Sequence, residues 1–145
     1  MGVRGLKRPR RYVGFMPSFR TLCAVSAGFC VGTFAVLMAA PTVIYFLFDL
    51  EESQGADVMS RRAAVLFLSV GVILWRQRGV EQRETKAGLA LGMFVFMAAF
   101  VILGLVEFAR GAVGPGILLA VAAEFAFGAA FFGHLRATRG TPTSG

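Results

Sequence analysis

Four runs of apolar residues alternate with short polar segments along this chain, and each run, with its flanking residues, suggests a membrane-spanning helix. About 20 residues in helical form cross the hydrocarbon core of a bilayer. We predict spans at about 21–48, 58–75, 87–109 and 115–135. Since only helices and closed barrels satisfy their backbone polar groups in lipid, the predicted fold class is an all-α membrane protein, with four transmembrane helices in an up-down antiparallel bundle.

The first two spans depart from a simple apolar helix. The first is 28 residues long, so we expect it to tilt or to project beyond the core, with a kink at Pro41 in its last third. The fully apolar part of the second span, residues 63–75, has only 13 residues and would cover about 20 Å. We therefore expect this helix to begin near Asp57 or Val58, with Asp57 or Ser60 as its N-cap.

The basic residues are concentrated at one end of the predicted bundle. Six Lys and Arg lie in the tail 1–20, four in the loop 76–86 and two in the polar tail 136–145, which we predict to be disordered, whereas the opposite end holds three. The positive-inside rule then places both termini in the cytoplasm of a multi-pass protein of the bacterial inner membrane. Trp75 falls at the inner interface and Tyr45 towards the outer one.

The basic tail 1–20 contains no acid, and Pro9 and Pro17 argue against a continuous helix there. A segment of this kind next to a membrane span is typical of contact with anionic headgroups. The residues expected to make this contact with lipid are Lys7, Arg8, Arg10, Arg11 and Arg20.

Composition favours a membrane protein over a soluble one. Of the 145 residues, 57% are hydrophobic and 16% are charged, against about half and about a quarter in soluble domains. The net charge of +7 does not indicate nucleic-acid binding, because the basic residues flank apolar spans. Cys23 and Cys30 lie two helical turns apart, which is too far for a disulfide with each other, so we expect both to pack as small apolar residues.

One carboxylate, Glu124, lies within the apolar run of the fourth span. Steps of four residues place it on one stripe of the helix with Gly116, Ala120 and Gly128, and a stripe of small residues is typical of a face that meets other helices. Glu124 is nine residues past Pro115, about 13 Å from the outer end of the span. A carboxylate at that depth must be protonated or paired, and Arg61 and Arg62 are the candidate partners.

Two sets of residues follow as candidate sites. A charge network in the outer half of the bundle would comprise Arg61, Arg62, Glu107, Arg110 and Glu124. Helix packing would involve Gly88 and Gly92, which form a GxxxG pattern, together with Gly116, Ala120 and Gly128. The network could fix helix register, hold Glu124 as a titrating group in a ligand cavity, or pair with a partner subunit. No catalytic pair, phosphate-binding loop or metal-binding cluster is visible, so we expect neither an enzyme nor a bound metal.

The segments RRAAVLFLSVGVILW, LGLVEFARGAVGPG and LLAVAAEFAFGAAFF, with a basic loop after the first, resemble an uncharacterised family of small bacterial four-helix membrane proteins. The resemblance covers about residues 41–135. It implies an Arg at the start of the second helix, a recurring Gly (Gly71), an Arg-Gly after the third helix (Arg110-Gly111) and a Glu in the fourth (Glu124). The long basic tail departs from the family, and the resemblance implies an architecture but no activity.

These observations predict a non-enzymatic integral membrane protein. The first expectation is an accessory, assembly or structural subunit that docks on a larger membrane complex or self-associates, since short loops leave most of the surface to lipid and other helices. The alternative is a small transporter or a bundle that binds a ligand or lipid, with Glu124 as the titrating group. Expected partners are membrane lipids and either another membrane subunit or a second copy, and no nucleic acid. No cofactor is predicted, although a bound lipid or a pigment contributed by a partner is compatible with this fold.

Overall fold

The computed structural model describes residues 17–139, and every regular element in that range is an α-helix. The helices are α1 (Phe19–Ala39), α2 (Pro41–Phe48), α3 (Gln54–Gln77), α4 (Arg83–Ala109) and α5 (Ile117–Arg139). Four of them, all except α2, are long and apolar enough to cross a membrane. The prediction of an all-α chain with four candidate membrane spans is therefore confirmed.

Pro41 divides the first predicted span into two helices instead of kinking one. Ala40 leaves the helical conformation, with φ −147° and ψ 62°, and its N–H donates to the Val36 carbonyl at 2.8 Å to close α1. Pro41 then begins α2, where its missing N–H costs nothing. Because a proline disfavours helical geometry in the residue before it, the chain breaks at Ala40.

The start of α3 and the end of α5 differ from the predicted bounds. α3 begins at Gln54, and its N-cap is Ser53, whose Oγ accepts the Ala56 N–H at 3.1 Å, instead of Asp57 or Ser60. α5 continues to Arg139, so residues 136–139 are helical and not a disordered tail. The Arg136 guanidinium lies 4.8 Å from the Phe132 ring centre, one turn back along α5, a cation–π contact within the helix. Residues 140–145 lie outside the described residues.

The helices pack mainly in two pairs, α1 with α3 and α4 with α5. Each pair meets at a glycine. A Cβ on Gly71 of α3 would lie 3.3 Å from the Ala27 carbonyl oxygen of α1, and one on Gly104 of α4 would lie 2.7 Å from Val121 Cγ2 of α5. Small residues allow such close backbone approach, which drives helix association where no hydrophobic force exists between helices.

The buried core lies towards the end of the helices where α1 begins and α5 ends, and we call this the basic end. Its buried members come from four helices: Leu22, Cys23, Ala27, Cys30, Leu74, Ala90, Met93, Met97, Phe131 and Leu135. Cys23 and Cys30 are both free and buried, as packing residues would be. We call the opposite end the acidic end, because its α2–α3 loop carries Asp49, Glu51 and Glu52. Its packing differs from that of the basic end.

At the acidic end, polar contacts hold α2 against its neighbours. Tyr45 is only 3% exposed, and its hydroxyl donates to Asp57 Oδ1 at 3.0 Å and lies 2.8 Å from Ser60 Oγ. Two partners on α3 therefore satisfy the Tyr45 hydroxyl inside the protein, at the end of the bundle that was predicted to be the outer one. The Gly114 N–H donates to the Phe48 carbonyl at 2.6 Å, which fixes the α4–α5 loop to the end of α2.

Candidate functional site

A cavity of about 480 Å³ lies between the helices in the acidic half of the protein. All five helices contribute to its wall, which is mostly apolar and includes Phe29, Leu37, Phe48, Phe67, Phe100 and Ile117. Three polar side chains also line it, namely Thr33 of α1, Glu107 of α4 and Glu124 of α5. An apolar wall with a few convergent polar groups is the usual make-up of a small-molecule site, and the volume lies in the usual range.

Glu124 reaches this cavity from the stripe of small residues on α5. Ala120 and Glu124 both line the cavity wall. Gly128, one turn further on, is buried, and its Cβ would lie 3.3 Å from Met97 Cβ of α4. Gly116, at the other end of the stripe, faces the Leu47 carbonyl of α2. The whole stripe therefore faces other parts of the protein, and Glu124 occupies the position on it where the neighbouring helices leave space.

Glu107 and Arg110 form an ion pair at the end of α4, with Arg110 Nη1 3.5 Å from Glu107 Oε1. The Arg110 side chain is 70% exposed and the Glu107 side chain 35% exposed, so the pair lies at the rim of the cavity. An exposed pair of this kind contributes little to stability. Glu107 therefore already has a positively charged partner, whereas Glu124 makes no ion pair or hydrogen bond with the described residues.

The structure does not bring Arg61 or Arg62 to Glu124. Both arginines are exposed in the third turn of α3, and neither forms an ion pair within residues 17–139. The reason lies in the helix pairs, because α3 packs on α1 whereas Glu124 belongs to α5, which packs on α4. Of the five charged residues predicted to form one network, Glu107 and Arg110 are paired, and Glu107 and Glu124 share the cavity.

The glycines that pack helices together are mostly not the predicted ones. Gly88 and Gly92 of α4 are exposed, and a Cβ at either position would have no atom of residues 17–139 within 4 Å. Gly71 and Gly104 are buried at the helix contacts, although neither belongs to the GxxxG pattern. Gly71 is also the recurring glycine of the family resemblance, and its close approach to α1 gives that position a physical role.

At the basic end, the predicted lipid contacts Lys7, Arg8, Arg10 and Arg11 lie outside the described residues, and Arg20 is exposed at the start of α1. His134 of α5, by its position another candidate for a headgroup contact, instead has its Nε2 2.9 Å from the Pro17 carbonyl oxygen and its ring against Phe19. This contact holds the chain just before α1 against the end of α5.

Within the described part of the chain, no three His, Cys, Asp or Glu side chains come together in a way that could hold a metal ion. Comparison with known proteins gives no match to any family model, to any curated protein or to any solved structure. The resemblance of residues 41–135 to small bacterial four-helix proteins therefore stays a prediction.

Proposed function

We propose that this chain is a non-enzymatic membrane protein that binds a small amphiphilic cation in the cavity of its acidic half, with Glu124 as the group that attracts the positive charge. The observation that carries the proposal is the position of Glu124. Its carboxylate lines a mostly apolar cavity and has no partner among the described residues. Of the three roles considered for it, an ion pair that fixes helix register lacks its arginine among the described residues, pairing with a partner subunit has no observation behind it, and a binding role has its cavity.

The ligand class follows from the chemistry of the wall. A carboxylate within a membrane span is costly unless it is protonated or paired, and a ligand cation can supply the missing pair. The aromatic and aliphatic wall suits the apolar body of an amphiphile, and aromatic faces also attract cations. Phe67 and Phe100, whose ring centres lie 5.9 Å apart, both line the cavity. An anion would instead meet two carboxylates, Glu107 and Glu124, and would be repelled.

We further propose that the four spans form an up-down bundle in the bacterial inner membrane with both termini in the cytoplasm. The distribution of Lys and Arg supports this orientation. The contacts support the antiparallel arrangement, because positions pair in opposite order between the segment α1–α2 and α3 and between α4 and α5. Gly71 meets Cys30 whereas Asp57 meets Tyr45, and Gly104 meets Val121 whereas Met97 meets Gly128.

The orientation can be tested with single cysteines in two exposed loops. We expect Glu51→Cys, in the α2–α3 loop, to react with a membrane-impermeant maleimide in intact spheroplasts. Glu81→Cys, in the α3–α4 loop, should react only after the membrane is permeabilised, because that loop would face the cytoplasm. Native Cys23 and Cys30 are buried, so the unchanged chain is the background control. Labelling of Glu81→Cys alone in intact spheroplasts would contradict the proposed orientation.

The cavity proposal is tested by binding of tetraphenylphosphonium, a lipophilic cation, to the purified full-length chain. We expect saturable binding, and we expect Glu124→Gln to raise the dissociation constant about tenfold or more, because the charge-assisted contact is lost while the shape is kept. Lowering the pH should also weaken binding to the unchanged chain, since a protonated carboxyl attracts a cation far less. Isothermal titration calorimetry in a nonionic detergent measures both effects.

The matched control is Glu84→Gln, which removes an exposed acid at the start of α4, far from the cavity, and should leave the dissociation constant unchanged. Equal weakening by Glu84→Gln would indicate a general charge effect and contradict the proposal. So would unchanged affinity in a folded Glu124→Gln protein.

A second candidate function is the accessory or self-associating subunit. One specific observation favours it, namely that Gly88 and Gly92 are exposed on α4 and that no described residue would lie within 4 Å of a Cβ added to either of them. Such a face suits a close helix–helix contact with another subunit or a second copy. The two candidate functions use different surfaces, so both can hold for one protein.

A further inference from the structure

A second pocket, of about 460 Å³, lies at the basic end of the protein between the start of α1 and the end of α3. Five residues line it, namely Arg20, Trp75, Arg76, Arg78 and Gly79. The lining therefore contains three guanidinium groups and no acid. Neither Arg20, Arg76 nor Arg78 forms an ion pair with the described residues. Three like charges around one space repel each other, and an anion in that space would relieve the repulsion.

Local contacts hold one of these arginines in place. Arg78 is the C-cap of α3, and its Nη1 donates to the Trp75 carbonyl at 2.6 Å. Its guanidinium carbon also lies 3.7 Å from the centre of the Trp75 ring, a cation–π contact. A cation at a helix C-terminus is favoured by the helix dipole as well. Arg78 is therefore positioned before any ligand arrives, and this lowers the entropic cost of binding.

We propose that this pocket binds a phosphate group, with Arg20 and Arg76 from two different helices on either side of it and Arg78 held against Trp75. Guanidinium groups match phosphate oxygens with paired hydrogen bonds, which makes arginine the side chain suited to this anion. The pocket opens at the ends of two candidate membrane spans, where phospholipid headgroups lie. A lipid headgroup and free phosphate share this chemistry, and the experiment separates them. The site is independent of the cavity at the acidic end.

Trp75 provides an intrinsic fluorescence probe for this site, because it is the single tryptophan of the chain and lines the pocket. We expect dioctanoyl phosphatidylglycerol to change the Trp75 fluorescence saturably when added to the full-length protein in a nonionic detergent. Dioctanoyl phosphatidylcholine should bind more weakly, since its positive choline opposes the arginines. Inorganic phosphate is titrated in parallel. Saturation by the anionic lipid alone assigns the site to headgroups, and saturation by phosphate at similar concentrations assigns it to a soluble phosphate ligand.

Arg20→Gln and Arg76→Gln should each weaken binding of phosphatidylglycerol about fivefold, the effect of one basic residue near an anionic membrane surface. Arg136→Gln is the matched control, since it removes an exposed charge at the same end but outside the pocket. Equal weakening by Arg136→Gln would overturn the proposal, because diffuse surface charge would then explain the binding. The absence of a saturable change with both phosphatidylglycerol and phosphate would also overturn it. Should Arg76→Gln fail to fold, Arg20→Gln, at an exposed position in the first turn of α1, decides the question alone.

Discussion

Gly116→Ala is expected to destabilise the protein by about 3 kcal/mol or more, because the added methyl group would occupy the space of a backbone carbonyl. A Cβ on Gly116 would overlap the Leu47 carbonyl of α2 and would also lie 3.2 Å from Leu47 Cδ1. A side chain can rotate away from such a clash, whereas the Leu47 carbonyl is part of the backbone and moves only together with the end of α2. The loop before α5 must therefore separate from the end of α2.

The same loop makes a second close contact that prevents easy relief. Gly114 donates its N–H to the Phe48 carbonyl at 2.6 Å, and a Cβ there would lie 2.7 Å from Asp49 Cβ. Gly114 and Gly116 therefore allow the α4–α5 loop to pack directly against α2. Leu47, Phe48 and Val113 all line the cavity, so separating these elements also opens the cavity wall.

Thermal unfolding in detergent, followed by circular dichroism, measures this effect. We expect the Tm of Gly116→Ala to fall by on the order of 10 °C. Gly92→Ala is the control, because a Cβ at Gly92 meets nothing within 4 Å and alanine favours a helix by up to about 1 kcal/mol over glycine. A Tm for Gly116→Ala within about 2 °C of the unchanged chain would mean that the loop does not rest on α2 as described.

The sequence predicted the number and composition of the membrane helices because hydropathy and length alone decide which segments can cross a bilayer. It also predicted a disturbance at Pro41, since the effect of proline on the preceding residue is local. It could not predict that the disturbance is a full break. Once the chain has broken, the buried Tyr45 hydroxyl holds α2 against Asp57 and Ser60 on α3, and the apolar pattern does not show such contacts between helices.

The sequence could not show which helices pack against each other. The spacing on α5 indicated that Glu124 faces other helices, and the structure places it on a cavity wall. The structure does not show the predicted contact of Glu124 with Arg61 or Arg62, because that prediction was based only on their similar depth in the membrane. Two residues at one depth need not lie on neighbouring helices, and hydropathy is nearly the same for every possible arrangement of four spans.

The glycines illustrate the same limit within a single helix. Gly88, Gly92 and Gly104 all belong to α4, and a four-residue spacing drew attention to the first two. Only Gly104 lies against another described helix, since it is the one that meets Val121. A spacing rule selects residues on one face of a helix, but the neighbouring helix decides which face is covered. This difference provides a matched pair of substitutions on one helix.

Gly104→Leu is expected to destabilise the fold by about 3 kcal/mol, whereas Gly92→Leu should leave the unfolding temperature almost unchanged. At Gly104 a Cβ would lie 2.7 Å from Val121 Cγ2 and 3.6 Å from Ile117 Cγ1, so a leucine forces α4 and α5 apart. Gly104 also lines the cavity, and binding of the lipophilic cation should weaken with it. At Gly92 the leucine enters open space.

The same pair of variants decides whether the exposed face of α4 is used for self-association. If Gly88 and Gly92 form a contact with a second copy, Gly92→Leu should convert an oligomer into a monomer in size-exclusion chromatography with light scattering, while its Tm in the monomeric state stays unchanged. Gly104→Leu should act in the opposite way, lowering the Tm of the monomer itself. An equal loss of Tm in both variants would contradict the assignment of Gly104 to the inside of the protein and of Gly92 to its outer surface.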